Sequence, residues 1–244
     1  MSGFFWNPWH GCVRCSEGCA HCYVFALDKM RGTSTEIHRN RSSFTLPVQK
    51  TRAGEYRYPS GTVFPTCFTS DFFLEEADAW RAEAWQIIKK RPDCAFEFFT
   101  KRIQRAADCL PLDWEDGYDN VRITVSVENQ RRADERIPLL LALPAKWRGL
   151  AVSPILEEIR IESYLQTEKI NFVSAGGEAY EGARPCHFDW ILSLREQCVS
   201  VGVPFVFHQT GEKFVKDGKT YVISSHRTQL AQARRAHVDF DGNR

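Results

Sequence analysis

Val121-Arg-Ile-Thr-Val-Ser-Val127, followed by Arg132 to Leu143, decides the fold. The first run is short, apolar and rich in β-branched residues, which reads as a buried strand. The second reads as a helix stopped by Pro144. A strand feeding a helix is half of a parallel βα unit, and the same alternation extends in both directions. Downstream lie a strand at Gly149–Val152, a short helical segment near Ile161–Leu165 and a strand at Ile170–Ser174. A helix at Phe188–Val201 and a strand at Pro204–Phe207 follow. Upstream, Thr62–Thr69 reads as a strand weakened by Pro65, and Ala95–Phe99 as another. Between them Glu75–Arg91 carries Ala79, Trp80, Ala84, Ile87 and Ile88 at helical spacing. Phe4–Trp6 is expected as a first strand leading into a cysteine-rich loop.

The expected class is therefore α/β, a closed or partial (β/α) barrel, with a doubly wound open sheet as the alternative. No shift in composition marks a boundary, so residues 1–211 are expected to form one barrel. Residues 212–244 are expected to form a C-terminal hairpin and helical tail packed on it. Asp217-Gly218, between the alternating runs of Lys213–Ile223, is the hairpin signal, and His226–Ala236 reads as a basic surface helix. Residues 31–61 are polar, with Arg31, Arg39, Arg41, Lys50, Arg52 and Arg57. They are expected as a long insertion, either a solvated loop or a binding surface.

Bulk properties exclude several classes. Of 244 residues, 43% are hydrophobic and 26% charged, which suffices for a buried core without disulfides. A net charge of +1 gives no global nucleic-acid footprint. No apolar stretch is long enough to span a bilayer, so no membrane partner is expected. Met1-Ser-Gly-Phe-Phe-Trp6 lacks the pattern of a secretory leader. With nine cysteines, an odd number, the expectation is a reducing cytoplasmic compartment with thiols available to metal.

Four of those thiols are crowded into Gly11-Cys-Val-Arg-Cys-Ser-Glu-Gly-Cys-Ala-His-Cys-Tyr23. Soft donors this close are suited to one iron–sulfur cluster or one zinc ion. Structural zinc sites usually draw on two separated Cys pairs, so the contiguous run favours iron and sulfide. Three thiolates on a 4Fe–4S cubane leave one iron open for a small molecule. Cys15-x3-Cys19-x2-Cys22 and Cys12-x6-Cys19-x2-Cys22 are both possible three-ligand sets.

Polar or glycine residues directly after the strand runs form a second constellation, since parallel barrels place functional groups at the C-terminal ends of strands. These are Ser70 and Asp71, Thr100 with Lys101 and Arg102, Ser126 and Glu128, Ser153, Gly176, Gly177 and Glu178, and His208. Asp71 and Glu178 suit an ammonium group, and Lys101 and Arg102 a carboxylate or phosphate. Cys186 is expected near the rim as a hydrogen-donating thiol, and Lys101 and His208 are the other candidate catalytic residues. Cys67, Cys94, Cys109, Cys186 and Cys198 are expected as small buried hydrophobes, Cys186 being the one that also qualifies for the rim.

Across these positions the chain resembles a family of phage- and prophage-associated three-Cys-motif proteins of uncharacterised function, related to radical S-adenosylmethionine (SAM) enzymes. The resemblance runs through Trp6–Cys12, Gly18–Tyr23, Thr66–Phe73, Thr100–Arg102, Val125–Gln130 and Ala133–Arg136. It continues through Gly176–Glu178, Ala183–Arg184, Gln209–Gly211 and Lys216–Gly218. It implies a partial barrel of the radical SAM type, with a 4Fe–4S cluster on Cys12, Cys19 and Cys22 and with Cys15 as the rival for the first ligand. It also implies bound SAM, an external electron donor, and a 5′-deoxyadenosyl radical that acts on an unknown substrate, a nucleotide or nucleic acid being one candidate. Ser70 and Asp71 would hold the methionyl end of the cofactor, and Glu128 would lie near its ribose. Thr100, Ser126, Gly176, Gly177 and Glu178 complete the cofactor-binding set. Relatives tend to carry an acidic residue at the position of Ser153 and lysine at that of His208. The alternative is a non-enzymatic nucleic-acid-binding module stabilised by zinc or iron–sulfur.

Overall fold

Six parallel strands make an open half-barrel. The structure, a computed structural model, describes residues 4–242. Its strands are β1 (Trp9–His10), β2 (His38–Arg39), β3 (Val63–Thr66), β4 (Ala95–Thr100), β5 (Val121–Ser126), β6 (Arg148–Val152), β7 (Phe172–Gly176), β8 (Cys186–His187), β9 (Phe205–Gln209), β10 (Lys213–Lys216) and β11 (Lys219–Val222). Its α-helices are α1 (Tyr23–Arg31), α2 (Asp78–Lys89), α3 (Gln130–Ala142), α4 (Glu162–Leu165), α5 (Phe188–Val201) and α6 (His226–Arg235). The main sheet has the order β3-β4-β5-β6-β7-β9, parallel throughout. It is a partial barrel, as the βα alternation predicts.

Register gives the sheet two unlike faces. One carries the row Thr100, Val125, Leu150, Val173 and Phe205, with Phe98 and Phe207 beside it. Helices cover this face: Trp85 of α2 meets Phe98 at 5.6 Å, and Phe188 of α5 meets Phe207 at 6.5 Å. The other, inner face is small and polar, with one row reading Phe99, Thr124, Gly149 and Phe172 and the next Ser126, Ala151, Ser174 and Val206. A sheet facing a helix layer on one side and a lumen on the other explains why its strands alternate rather than read as unbroken apolar runs.

Several expectations are corrected in detail. Phe4–Trp6 forms no strand; Trp6 makes a single parallel bridge to Thr66. Pro65 is tolerated because β3 is an edge strand, where its carbonyl accepts from the Trp6 N–H at 2.9 Å. Residues 31–61 are mostly exposed, as a surface insertion should be, but are pinned to the barrel: Phe44, Pro47 and Tyr58 are buried, and the buried Arg91 guanidinium donates to the carbonyls of Pro47 and Tyr58. The helix α1, which follows the cysteines directly, is not apparent in the sequence because its apolar positions make no clear stripe.

The C-terminal segment packs on the barrel. Asp217 and Gly218 both have positive φ, the geometry of a tight two-residue hairpin. β10 pairs with β8 and α6 lies against β9. Among the described residues no helix is long and apolar enough to cross a membrane.

Candidate metal centre and its rim

The cysteine loop lies across the C-terminal rim of the sheet, fastened by groups from four strand ends. After β3, the Ser70 hydroxyl donates to the Gly11 carbonyl at 2.6 Å. After β4, the Arg102 guanidinium donates to the Val13 carbonyl at 2.5 Å and stands 3.8 Å from the Cys12 sulfur. After β5, Glu128 is fully buried and takes hydrogen bonds from Ser16 and from the Gly18 N–H at 3.3 Å. Beyond β7, Arg184 pairs with Glu178 and donates to the Glu17 carbonyl at 2.9 Å. Arg132, at the start of α3, holds the Glu17 carboxylate at 2.9 Å.

Two carboxylates organise these clamps. Asp71 accepts from the Phe73 N–H at 3.0 Å, the Thr100 hydroxyl at 2.8 Å and the Lys101 N–H at 2.9 Å, and from Arg102 at 3.3 Å. Both of its oxygens are thus engaged in joining the β3 and β4 ends. Glu128 also accepts from Arg136 at 2.7 Å. Burial opposes ionisation of Glu128, yet Lys101, Arg136 and the Ser16 hydroxyl hold its pKa below the usual carboxylate range.

The four thiols sense one another. Burial pushes the Cys12 thiol up to about 11 against the pull of Arg102, with Asp71, Cys19 and Cys22 adding to the rise. Burial also raises Cys22, while Lys101 pulls it down. Cys15 and Cys19 act on each other in opposite directions, Cys15 lowering the Cys19 thiol and Cys19 raising that of Cys15. Cys15 is the exposed member of the four, and it lines a cleft of about 230 Å³ with Lys101, Gln104, Arg132, Glu135, Arg136 and Leu139. The Lys101 ammonium makes no hydrogen bond or ion pair of its own among the described residues, although its field reaches Cys19, Cys22 and Glu128. Soft thiols beside two cations are the donor chemistry of an iron–sulfur cluster, because nearby positive charge favours the thiolate that binds iron. Among the described residues, no three His, Cys, Asp or Glu side chains converge as around a single ion.

The β7 and β9 ends form the opposite side of the rim. A Cβ on Gly176 would lie 2.5 Å from the His208 ring, and one on Gly177 would lie 2.8 Å from the Cys186 Cβ. Both glycines are therefore required for close approach. His208 reaches across Gly176 to the Ser153 hydroxyl at 3.4 Å. Burial lowers the His208 pKa to about 4, with His226 contributing, so the ring is neutral near pH 7.

A family model described as a protein of unknown function (DUF5131) matches residues 2–242. The chain belongs to that family. The description of DUF5131 carries neither an activity nor a phage association. Two solved structures of spore photoproduct lyase, a tyrosine-to-phenylalanine mutant and a cysteine-to-alanine mutant, are similar to this chain. The first covers 95% of it at 15% identity and TM-score 0.47, and the second 96% at 16% and 0.44. The matched regions amount to 72% and 61% of those two chains. No curated protein matches this one.

Within this DUF5131 chain, the site residues expected from sequence fall into two groups. Cys12, Cys15, Cys19, Cys22, Ser70, Asp71, Thr100, Lys101, Glu128 and Glu178 come together around the thiol loop. Ser126 lies below them on the inner face, and Gly176 and His208 stand on the β7–β9 side. Cys186 is fully buried in β8 against Gly177, as its reading as a small buried hydrophobe expects, and is not an exposed thiol of the rim; burial pushes it up to about 12. Arg132, Arg136 and Arg184 are the neighbours of the loop and its clamps that sequence reasoning missed. The signal for them was partial, since Arg136 and Arg184 lie inside motifs of the resemblance but carry no spacing that points to a loop over a hundred residues away.

Proposed function

We propose that this chain is an iron–sulfur enzyme of the radical SAM type acting on a substrate bound inside the half-barrel. The observation that carries the reading is the position of the thiol loop, which the ends of four strands fasten across the C-terminal rim of an open parallel sheet with Cys12, Cys19 and Cys22 on it. Cys12, Cys19 and Cys22 would hold a 4Fe–4S cluster, Cys15 being the rival for the first position. Loaded with SAM and reduced by an external one-electron donor, the cluster would supply a 5′-deoxyadenosyl radical for hydrogen abstraction.

The chain's own residues do the rest. Arg102 fixes the Cys12–Val13 segment and balances thiolate charge. Asp71 locks Thr100, Lys101 and Arg102 into one arrangement, so its role is positioning. Lys101 supplies an uncommitted positive charge beside Cys19 and Cys22, suited to an anionic group of a bound ligand. Glu128, Arg136 and Arg184 keep the loop closed over the rim, which limits water at the site. Ser70, Ser126, Gly176, Gly177 and Glu178 border the space the cofactor would occupy.

Anaerobic reconstitution with iron and sulfide tests the proposal. The protein should turn brown, carry about four irons per chain, and release 5′-deoxyadenosine from SAM on reduction. A colourless protein that retains one zinc per chain and forms no 5′-deoxyadenosine refutes it and favours the binding-module alternative.

A further inference from the structure

The inner face of the sheet carries a second set of groups that the thiol loop does not use. Thr124 and Ser174 are nearly buried, at 2% and 8% exposure, and Ser126 is at 5%. None of the three hydroxyls has a hydrogen-bond partner among the described residues. Their oxygens are not sealed in, since the buried side-chain atoms without a partner among the described residues are Thr69 Oγ1 and Gln229 Oε1; three unpaired hydroxyls that open onto one lumen offer a polar ligand a set of groups to bond. Register places them on β5 and β7, the strands flanking β6, with Ser126 and Ser174 in one row on either side of Ala151.

The surroundings limit what that ligand is. Phe99 and Phe172 stand on this face at its two sides, both partly exposed. Trp147 lies across Gly149, where a Cβ would be 2.8 Å from its ring, and it meets Phe172 at 6.3 Å. At the level of the rim, the Ser153 hydroxyl and the His208 imidazole add a neutral donor–acceptor pair, made possible by the missing side chain at Gly176. The inner-face charges of Glu97 and Arg122 neutralise each other at 2.8 Å. The face therefore offers aromatic surfaces and neutral hydrogen-bonding groups, with no free charge of its own. This combination recognises flat, uncharged heterocycles, which stack on aromatic rings and read hydrogen bonds at their edges.

We infer that, with Ser126 given to the cofactor, Thr124, Ser174, Ser153 and His208 form a substrate site for a nucleobase, flanked by Phe99, Trp147 and Phe172. The inference rests on the proposed function for the chemistry that follows binding, while the binding itself stands apart from it. The adenine of SAM has the same chemistry, so the test must separate the two sources.

Isothermal titration of the cluster-loaded protein with thymidine, deoxycytidine, deoxyadenosine, deoxyguanosine, deoxyribose and SAM makes that separation. At least one deoxynucleoside should bind and deoxyribose should not. Ser174→Ala and His208→Phe should each weaken the nucleoside at least tenfold and leave SAM affinity unchanged. Ser153→Ala serves as the third variant should either of those fail to fold, as judged by thermal melting. The inference is overturned if no deoxynucleoside binds, if the variants bind it as tightly as the parent, or if SAM affinity falls in parallel. Formation of 5′-deoxyadenosine without added nucleoside is scored separately, so nucleoside binding without it would remove the proposed function and keep this site.

Discussion

Glu128 and Gly18 are in contact across 110 residues of sequence: the carboxylate accepts the Gly18 N–H at 3.3 Å, and a Cβ at Gly18 would lie 3.0 Å from the carboxyl carbon. The end of β5 thus sets the height at which the thiol loop crosses the rim. The same carboxylate neutralises Arg136, which is itself buried.

Glu128→Ala should therefore do two things. Leaving Arg136 buried and unpaired costs about 3–5 kcal/mol, a fall in melting temperature on the order of 10 °C for a chain of this size. Losing the Ser16 and Gly18 anchors should also lower iron content after reconstitution. Gly18→Ala isolates the second effect, because it lifts the loop without removing a charge. It should lose iron with a much smaller change in melting temperature, and full iron occupancy in Gly18→Ala would count against Glu128 as the loop's support.

The thiols should not be equivalent. Cys12→Ala, Cys19→Ala and Cys22→Ala are each expected to abolish the absorbance near 400 nm that marks a reconstituted iron–sulfur cluster, estimated as about four irons to none. Cys15→Ala should keep most of it, since Cys15 is exposed and lines the outer cleft. Its loss removes a thiol that acts electrostatically on Cys19, so the cluster should reduce at a different potential, read by a redox titration followed by electron paramagnetic resonance. If Cys15→Ala instead empties the site while Cys12→Ala fills normally, the C-x3-C-x2-C set is the true one.

His208 gives a pH dependence of known sign. Its pKa falls from 6.5 to about 4 on folding, chiefly through burial. Between those values the unfolded chain binds the additional proton, so the contribution is fully present above pH 6.5 and is lost as pH drops towards 4. The loss is at most about 3 kcal/mol. Urea midpoints of the metal-free protein at pH 7.5, 6 and 5 should fall more steeply than those of His208→Gln. Parallel slopes for the two proteins would mean that the ring is not excluded from water.

Local patterns carried much of this architecture. Phe188–Val201 was legible as a helix to the residue, because a strand end, an apolar stripe and Gly202 at the C-cap coincide. Asp217-Gly218 specified its hairpin for the same kind of reason. The thiols were legible because Cys12, Cys15, Cys19 and Cys22 are close in sequence. What holds the loop down was not, since Arg102, Glu128 and Arg184 act over 89, 112 and 167 residues. Ser153 and His208 each depart from the pattern of the resemblance, and only the fold reveals that they are partners. Cys186 fits its reading as a small buried hydrophobe, while its proximity in sequence to Glu178, which suggested the rim, does not bring the thiol to the surface.

Arg91 supplies a last test, of why residues 31–61 are ordered at all. Its guanidinium is fully buried and donates to Pro47 at 2.5 Å and to Tyr58 at 2.8 Å, while pairing with Asp93 at 2.9 Å. Burial alone would lower its pKa, but the Asp93 hydrogen bond outweighs that and keeps the charge in place. A lysine offers one ammonium in place of a planar fork and cannot serve all of these acceptors. Arg91→Lys should therefore release the insertion, seen as faster amide exchange across residues 44–58, at a cost of roughly 2–4 kcal/mol. Arg131→Ala is the matched control. It removes the ion pair to Glu135, in which both side chains are more than one-third exposed, and exposed pairs of that kind contribute only about 0–1 kcal/mol. Equal exchange rates in the two variants would place the order of the insertion in the packing of Phe44 and Tyr58 and not in the buried arginine.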